Sequence, residues 1–550
     1  MSEESRFTVG IDLGTTHCVL AKGDPRATLG QQPVEILEVP QLQAPGEVVA
    51  RDLLPSFLYL PAAQELPEGS AELPWGEPEE GVVGEYARRR GGEVPDRVVH
   101  SAKSWLCHDG VDRRAAFLPR SPADLDHRVS PVEASAAYLA HLRRAWDHIV
   151  ARGDPALALA EQDLVVTVPA SFGEVARQLS VESARVAGLG HVRLVEEPQA
   201  AFYAWLGRQG ADVDAALEDL NLILVVDVGG GTTDLTLIRV VRGGERPELE
   251  RVAVGEHLML GGDNMDLALA ALVESRLSGS ARLDGRRWQA LRQSCRMARE
   301  TLLGDAGPDA ASVVVPGRGS ALVGGQLRLE LGRQEVIDGV LDGFFPEVGP
   351  DAQVTRRSGL GLREWGLPYT HDTAVTRHVA AFLRRHREES GDGARLDGVL
   401  LNGGVLNPPR VARRLLDVIH SWTPAGQEPP RLLDAVSLDL AVAQGAAYYG
   451  LVRRGLGIRI VSGLAHSVWV GLELRRKKKK GRKRVRQAAL CLAPQGMQEN
   501  QTVELADHDL NLSVGREALF PLFAATDPRG RPGDLREAGD ERLESLPPIQ

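Results

Sequence analysis

Residues 222–237 read LILVVDVGGGTTDLTL, and residues 7–20 read FTVGIDLGTTHCVL. In each stretch an apolar run leads into a polar turn with an aspartate, glycine and threonine, and a second apolar run follows, which is typical of a β-hairpin. Asp227 lies 215 positions after Asp12. A strand–turn–strand unit that occurs twice at this separation predicts two related lobes, each contributing one turn to a site between them.

The two turns suit phosphate and a divalent cation. Closely spaced glycines such as Gly229, Gly230 and Gly231 let successive backbone N–H groups converge on phosphate oxygens, and threonine hydroxyls add donors. Asp12 and Asp227 are hard oxygen ligands that suit a hydrated Mg²⁺. One such hairpin alone is a common turn, but the matched pair favours a site. The chain has neither a GxxxxGK[ST] sequence nor GxGxxG after its first strand, so neither a P-loop nor a Rossmann site is predicted.

Strands alternate with helical patterns as far as about residue 455, which predicts an α/β architecture. Strands are expected at residues 164–168 and 397–401, and helices at 174–187, 199–206, 288–303, 409–419 and 439–453. Lobe I is predicted to cover about residues 6–215 and 433–455, and lobe II about 220–432, with long loops at 61–81 and 349–373. A small β-rich module is expected at 456–525 and a loose tail at 526–550.

Composition narrows the class of protein. The 550 residues are 43% hydrophobic and 25% charged, which is typical of a globular multidomain chain. Cys18, Cys107, Cys295 and Cys491 lie far apart without CxxC spacing, so neither a zinc site nor a disulfide framework is predicted, and the cytoplasm is the expected location. The N-terminus is polar and no stretch approaches 18 apolar residues, so neither a signal peptide nor a membrane span is expected.

Charge is distributed unevenly. The net charge is −11, yet residues 475–486 hold ten positive charges within twelve positions. A block of like charges repels itself and extends, so this run is expected to be a solvated loop between strands at 468–474 and 487–492. The acidic remainder disfavours nucleic-acid binding, although the basic run leaves contacts with RNA or an acidic partner open.

At this point the sequence resembles a known family. The hairpins at 10–16 and 227–234 resemble the two phosphate motifs of the actin-like ATPase fold, and within it the chain is most similar to the DnaK-type, or seventy-kilodalton heat-shock, chaperones. Further similar segments follow in the family's order: VVHSAKSWL at 98–106, VVTVPASFGEVAR at 165–177, VRLVEEPQAA at 192–201, Gly403-Gly404, and residues 439–447. The resemblance covers about residues 7–455 and implies two duplicated α/β lobes around a nucleotide cleft.

The resemblance also implies roles for individual residues. Lys103 matches the catalytic lysine, Glu197 the carboxylate near the metal, and Pro169 and Arg177 the switch proline and its arginine. Asp12 and Asp227 would hold Mg²⁺ through water, and Asp234 or Glu197 would orient the water that attacks the γ-phosphate. The implied nucleotide contacts are Gly14, Thr15, Thr16, Gly229, Gly230, Gly231, Thr232, Thr233, Gly261, Gly262, Arg299, Gly403, Gly404 and Asp439.

The implied activity is slow hydrolysis of ATP, coupled to binding of unfolded or client polypeptide, with a J-domain-type co-chaperone and a nucleotide-exchange factor as partners. Two other readings stay open. One is a nucleotide-sensing regulator or co-chaperone with little turnover, and the other is a sugar or metabolite kinase of the same fold. The Lys103, Pro169 and Glu197 motifs disfavour the kinase.

The chain departs from the family in two places. In the helix at 288–303, which aligns with the family's adenosine-contacting helix, Arg296 stands where the family has Glu, Glu300 where it has Arg, and Leu303 where it has Ser. This exchange leaves the preference for ATP open, and Arg296 and Glu300 are expected to form a charge pair in reverse. After Gly455 the family's acidic, leucine-rich linker is not recognisable, and about 95 residues suffice only for a reduced β module.

Overall fold

The structure is a computed structural model. It describes residues 5–27, 33–62, 64–78, 81–108, 110–120, 127–242, 247–256, 258–277, 283–304, 306–315, 327–355, 370–386, 395–434, 437–461, 464, 467–477, 483–494, 497, 502–505, 520–525, 530–537, 540 and 543–549. Among these residues, two six-stranded sheets and three small ones, packed with helices, occupy the part of the chain before residue 462, and a five-stranded antiparallel sheet follows.

The first part of the chain contains the three sheets of lobe I and most of its helices. Its strands are β1 (Thr8–Leu13), β2 (His17–Gly23), β3 (Val34–Ile36), β4 (Val39–Ala44), β5 (Glu47–Arg51), β6 (Leu54–Pro55), β7 (Phe57–Tyr59), β8 (Val82–Val83), β9 (Val98–His100), β10 (Asp163–Val168) and β11 (Val192–Glu196). Its helices are α1 (Glu85–Glu93), α2 (Ala102–Leu106), α3 (Pro131–Trp146), α4 (Glu174–Val186), α5 (Glu197–Gln209) and α6 (Val213–Leu217).

The second part builds lobe II and then returns to lobe I. Its strands are β12 (Leu222–Val228), β13 (Thr233–Val241), β14 (Glu248–Val254), β15 (Ala310–Val315), β16 (Leu327–Gly332), β17 (Gly398–Asn402), β18 (Arg431–Leu433) and β19 (Ile460–Val461). Its helices are α7 (Gly262–Arg276), α8 (Gly285–Leu303), α9 (Arg333–Phe344), α10 (Val375–Arg385), α11 (Pro409–Ser421) and α12 (Ala441–Arg453). The C-terminal strands are β20 (Ser467–Lys477), β21 (Lys483–Ala493), β22 (Phe520–Ala525), β23 (Leu535–Glu537) and β24 (Glu544–Ile549).

The two larger sheets share one connectivity. In lobe I the order is β11-β10-β1-β2-β3, and in lobe II it is β18-β17-β12-β13-β14. In both, the first hairpin is antiparallel and its first strand runs parallel to a later strand, β10 in lobe I and β17 in lobe II. This repeated topology confirms the prediction of two duplicated α/β lobes.

The three largest clusters of buried apolar side chains in the described part of the chain form the main cores. One lies within lobe I, one within lobe II, and the third joins the lobes through α5, α12 and the faces of β10 and β12. The helices α5 and α12 approach closely at Gly445, where a Cβ atom would lie 1.6 Å from the carbonyl oxygen of Ala200. Only glycine fits at this crossing, which brings the ends of both sheets to one cleft.

Most predicted elements are confirmed, but the C-terminal predictions need correction. Ile460–Val461 was assigned to the β module, whereas β19 pairs in parallel with β14 and extends the lobe II sheet. The segment before it carries the chain from α12 to that sheet edge, where unpaired backbone groups accept a further strand.

The basic run and the tail also differ from expectation. The ladder between β20 and β21 continues through Arg476 opposite Arg484 and Lys477 opposite Lys483. The prediction of a loop from 475 to 486 is therefore wrong for residues 475–477 and 483–486, which are paired strands. Residues 478–482 lie outside the described part of the chain. The backbone hydrogen bonds of a hairpin do not depend on side-chain charge. The tail predicted as loose contains β23 and β24, which pair with β21 and β22 at open sheet edges. The predicted loop at 349–373 falls partly on residues 356–369, outside the described part.

Within the described ranges, the search for a helix both long and apolar enough to cross a membrane finds none.

Candidate functional site

A cleft of about 270 Å³ lies between the lobes, at the carboxyl ends of β1 and β12. It is lined by residues from both hairpin turns, from α5, α7 and α8, and from the loops after β17 and before α12. These residues are Asp12, Gly14, Thr15, Thr16, His17, Glu197, Asp227, Gly229, Gly230, Thr232, Gly262, Arg296, Arg299, Glu300, Asn402, Gly403, Gly404, Val405, Asn407, Leu438, Asp439 and Val442.

The two hairpin turns, together with Lys103 and Glu197, form what we call the hairpin side of the cleft. The turns meet so closely that a Cβ atom at Gly230 would lie 2.1 Å from Oγ1 of Thr16 on the opposite lobe. The glycine leaves a cradle of backbone and hydroxyl groups between the lobes, and a side chain at this position would fill it.

Lys103 and Glu197 form an ion pair on the hairpin side. Lys103 lies on the short helix α2, and Glu197 is the first residue of α5, where Pro198 suits the first helical turn. Burial alone would lower the pKa of Lys103, but the carboxylates of Glu197 and Asp12 outweigh it and raise this pKa above its usual value. Lys103 is therefore a fixed positive charge in a buried position.

Four carboxylates share the hairpin side with this lysine. Burial raises the pKa of Asp12 to about 6, with Lys103 acting in the opposite direction and Glu197 adding to the increase. Burial also raises the pKa of Glu197, Asp227 and Asp234, and for Asp227 the neighbouring Glu197 and Asp234 add to it. Burial disfavours the charged form of each of these carboxylates, so a bound cation would stabilise them in the ionised form.

The strand register explains why three oxygen-bearing side chains lie side by side. Asp227 on β12 is opposite Asp234 on β13 and opposite Asn402 on β17. Nδ2 of Asn402 donates to Oδ2 of Asp227 at 2.9 Å, and Thr167 on β10 donates from Oγ1 to Oδ1 of Asp12 at 2.7 Å. Each of the two aspartates that were predicted as metal ligands is thus oriented by one neighbouring side chain.

The loop after β10 links the hairpin side to the opposite lobe. The backbone N–H of Ser171 donates to Oδ1 of Asp234 at 2.9 Å. Further along, Arg177 pairs with Glu196 at 2.8 Å, and Arg251 on β14 pairs with the same carboxylate. The segment that contains Pro169 is therefore connected to lobe II at both ends.

The helix side of the cleft is formed by α7 and α8, and its residues are Asp263, Asp266, Arg296, Arg299 and Glu300, with Asn407 from the loop after β17. Nε of Arg296 lies 2.8 Å from Oδ2 of Asp266, and Nε of Arg299 lies 2.7 Å from Oδ1 of the same residue. Arg296 also pairs with Asp263, to which Ser101 of lobe I donates at 3.0 Å. Burial alone would raise the pKa of Asp266, but Arg299 and Arg296 lower it below its usual value.

The expected charge pair between Arg296 and Glu300 is wrong. Among the described residues Arg296 pairs with the two aspartates of α7, while Glu300 pairs with Arg88 of lobe I at 3.5 Å. The nearer, fully buried carboxylates of α7 satisfy the guanidinium, so Glu300 remains at the mouth of the cleft. In the loop after β17, Nδ2 of the exposed residue Asn407 donates to Oδ2 of Asp439 at 2.5 Å.

The structure brings most of the predicted residues to one place. Several predicted residues do not line the cleft: Lys103, Gly231, Thr233, Asp234 and Gly261 lie just behind its wall. Oγ1 of Thr233 donates to the carbonyl of Leu260, and Gly261 abuts the backbone of Gly229, so both support the turn instead.

Sequence reasoning missed His17, Asn402 and Asn407, which line the cleft, and Thr167 and Ser171, which hold its aspartates. The available signal for Asn402 was its place directly before the Gly403-Gly404 pair, a motif already recognised in the sequence.

The residues present fit a hydrated Mg²⁺ and a nucleotide. No group of three or more His, Cys, Asp or Glu in the described ranges could enclose a metal ion by itself. Two separated carboxylates, Asp12 and Asp227, beside a glycine cradle are instead the donor set that Mg²⁺ uses when it keeps waters and shares phosphate oxygens.

Comparison with known proteins gives the following matches. A model of the Hsp70 protein family matches residues 78–312. A chaperone protein HscA homolog of Pseudomonas paraeruginosa is 30% identical over 374 residues, which cover 66% of this chain and 50% of that protein. The HscA homolog of Azotobacter vinelandii is 32% identical over 311 residues, which cover 54% and 42%, and HscA of Pectobacterium carotovorum is 29% identical over 319 residues, which cover 57% and 44%. The chain thus spans about half the length of the curated relatives it matches.

Proposed function

Since the chain belongs to the Hsp70 family, we propose that it binds Mg²⁺·ATP in the cleft between its lobes, hydrolyses it slowly, and couples the nucleotide state to binding of unfolded or client polypeptide. The observation that carries this proposal is the hairpin side, where two matched turns, one buried lysine and four carboxylates meet. The relatives are named chaperones, which supports the chaperone part.

The site residues take the following roles in this proposal. The turns at 12–16 and 229–233 bind the phosphates through backbone N–H groups and threonine hydroxyls. Bound Mg²⁺, held through water by Asp12 and Asp227, supplies neutralisation of the phosphate charge. Lys103 adds a second positive charge near the transferred group, and its pairing with Glu197 keeps it in place.

Glu197 is the better candidate for orienting the attacking water. Both Glu197 and Asp234 were open for this role, but Glu197 lines the cleft whereas Asp234 does not and already accepts the N–H of Ser171. In phosphoryl transfer the protein contributes mainly positioning and charge stabilisation, so one oriented water and one fixed cation account for much of the catalysis.

Coupling follows from the links of the Pro169 loop. A change at Asp234 on nucleotide binding would move Ser171, and the Arg177–Glu196–Arg251 chain would carry that change to β14. Because β19 pairs with β14, the same strand that receives the change also holds the start of the C-terminal region. A J-domain-type co-chaperone and a nucleotide-exchange factor would act on this cycle as partners, in the cytoplasm.

Two measurements test the proposal. Saturating Mg²⁺·ATP should raise the melting temperature, because binding at a hundredfold excess over Kd stabilises the fold by about 2.7 kcal/mol. ATP hydrolysis should be measurable and should increase with an unfolded peptide. An unmoved melting temperature would contradict the nucleotide site, and hydrolysis indifferent to every peptide would contradict the chaperone part.

The helix side favours one second candidate, a nucleotide-sensing regulator with little turnover. Its arginines are engaged by Asp263 and Asp266 and so are less free to contact a nucleotide. Tight nucleotide binding with turnover that peptides do not change would support this candidate.

A further inference from the structure

One buried polar atom on the wall of the cleft lacks a partner. Asn402 is 1% exposed and ends β17 at the floor of the cleft. Its Nδ2 donates to Asp227, but its Oδ1 has no hydrogen-bond partner within the described part of the chain. An unpaired buried acceptor costs about 1–3 kcal/mol, so a hydrogen-bond donor supplied by a bound ligand would stabilise this site.

The orientation of the amide is fixed by its neighbour. If the amide were turned around, Oδ1 would face Oδ2 of Asp227, and two acceptors would repel. With Nδ2 on Asp227, Oδ1 is the acceptor left unpaired; it is shielded from solvent in this structure and belongs to a residue that lines the cleft.

The chemistry of the cleft selects the missing donor. Phosphate oxygens only accept hydrogen bonds at neutral pH, so they cannot pair with an amide oxygen. Water bound to a divalent cation is a strong donor, and Asp227, the partner of Asn402, is one of the two carboxylates that would bind such water. Side chains around metal ligands often complete the hydration shell in this way.

We propose that Asn402 is a positioning residue for the cation: its Nδ2 orients Asp227, and its Oδ1 accepts a hydrogen bond from a water in the hydration shell of Mg²⁺. This inference rests on the proposed function, since it assumes that Mg²⁺ enters with the nucleotide. In this inference, the effect of Mg²⁺ on nucleotide affinity depends in part on Asn402, a residue outside the motifs recognised in the sequence.

The test compares ADP binding by calorimetry in saturating Mg²⁺ and in EDTA, for the full-length chain. In Asn402→Val, which keeps the size and removes both polar atoms, the factor by which Mg²⁺ tightens ADP binding should fall about tenfold, because loss of such a partner costs 10–100-fold in metal affinity. ADP affinity in EDTA should stay within about twofold of the wild type.

A second variant separates positioning from packing. In Asn402→Asp a carboxylate replaces the donor beside Asp227, so ADP should bind more weakly in EDTA and the tightening by Mg²⁺ should become larger than in the wild type. A purely structural role would change both variants in the same direction. The control is Asn221→Ala, which removes an exposed asparagine that donates to Asp397 away from the cleft and should leave the Mg²⁺ dependence unchanged.

The outcomes distinguish this inference from the proposed function. Wild-type protein that binds no ADP under either condition would overturn both. Wild-type protein with Mg²⁺-dependent binding, and an unchanged dependence in both Asn402 variants, would overturn the role of Asn402 alone. If Asn402→Val does not fold, Asn402→Asp still decides, since an unchanged or smaller effect of Mg²⁺ there contradicts the inference.

Discussion

On the hairpin side of the cleft, one lysine accompanies four carboxylates, whereas on the helix side Arg296 and Arg299 of α8 pair with the two aspartates of α7. The hairpin side thus has an excess of negative charge that a cation would satisfy, and the helix side is already balanced by its own residues. The contrast teaches that the hairpin side requires a ligand to complete its electrostatics, while the helix side is stable without one.

The largest expected effect tests whether the helix side is internally balanced. Asp266→Ala should destabilise the nucleotide-free protein by about 3–5 kcal/mol, because it leaves Arg299 and part of Arg296 buried without their partner. Urea unfolding measures this. The matched control is Asp338→Ala, an exposed aspartate of α9, which should cost less than about 0.5 kcal/mol. A loss under about 1 kcal/mol for Asp266→Ala would show that the arginines find other partners.

The next effect concerns chemistry on the hairpin side. Lys103→Ala should lower kcat by about 10² or more, since the ammonium stabilises charge that develops mainly during transfer, while nucleotide affinity changes little. Single-turnover hydrolysis and calorimetry separate the two quantities. Lys22→Ala, a lysine of β2 that pairs with Glu35 away from the cleft, serves as the control. Unchanged turnover in Lys103→Ala would remove the lysine from the reaction.

A smaller effect tests how strongly the helix side discriminates between adenine and guanine in the bound nucleotide. Because its arginines are engaged, ATP and GTP should bind within about tenfold of each other, or about 1.4 kcal/mol. Adenosine, which lacks the phosphates, should bind far more weakly than either. Competition calorimetry with the three ligands measures these ratios. A preference for ATP of a hundredfold or more would show that the helix side rearranges to bind adenine.

The smallest expected effect lies beyond the cleft. We expect the affinity for an extended peptide to change only about fivefold between ATP and ADP, or about 1 kcal/mol, because the stretch after Gly455 lacks the family's acidic, leucine-rich linker. Fluorescence anisotropy of a labelled peptide measures both affinities. A change of a hundredfold would mean that the short ladder between β19 and β14 couples nucleotide binding strongly to peptide binding. An absence of peptide binding in both nucleotide states would favour the regulator.

The sequence predicted the two hairpins well because each is a local unit, with its strands and turn encoded within about sixteen residues. The duplicated lobes followed from the repeat of that unit, and the family resemblance placed Lys103 and Glu197, which the fold pairs across 94 positions. Such a pair cannot be derived from spacing alone, since only the tertiary fold brings the two side chains together.

Other parts depended on tertiary context. Asn402 lies beside Asp227 because β17 runs parallel to β12 in one particular register. The local sequence around Asn402 does not specify that register. Arg296 was expected to pair along its own helix with Glu300, but the carboxylates of α7 lie closer to its guanidinium. The strands near the C-terminus were missed because their pairing partners, β21 and β22, are distant in sequence.

The attachment of β19 limits the distance over which the lobes can separate. The helix α12 ends at Arg453 and β19 begins at Ile460, so only residues 454–459 span the gap. A fully extended chain covers about 3.3–3.6 Å per residue, which gives this bridge a maximum reach of about 20 Å. The described ladder joins β19 to β14 at only two positions, Leu249–Ile460 and Glu250–Val461. An opening of the cleft that exceeds this reach must therefore detach β19 from β14, so a wide opening would release the start of the C-terminal region from lobe II.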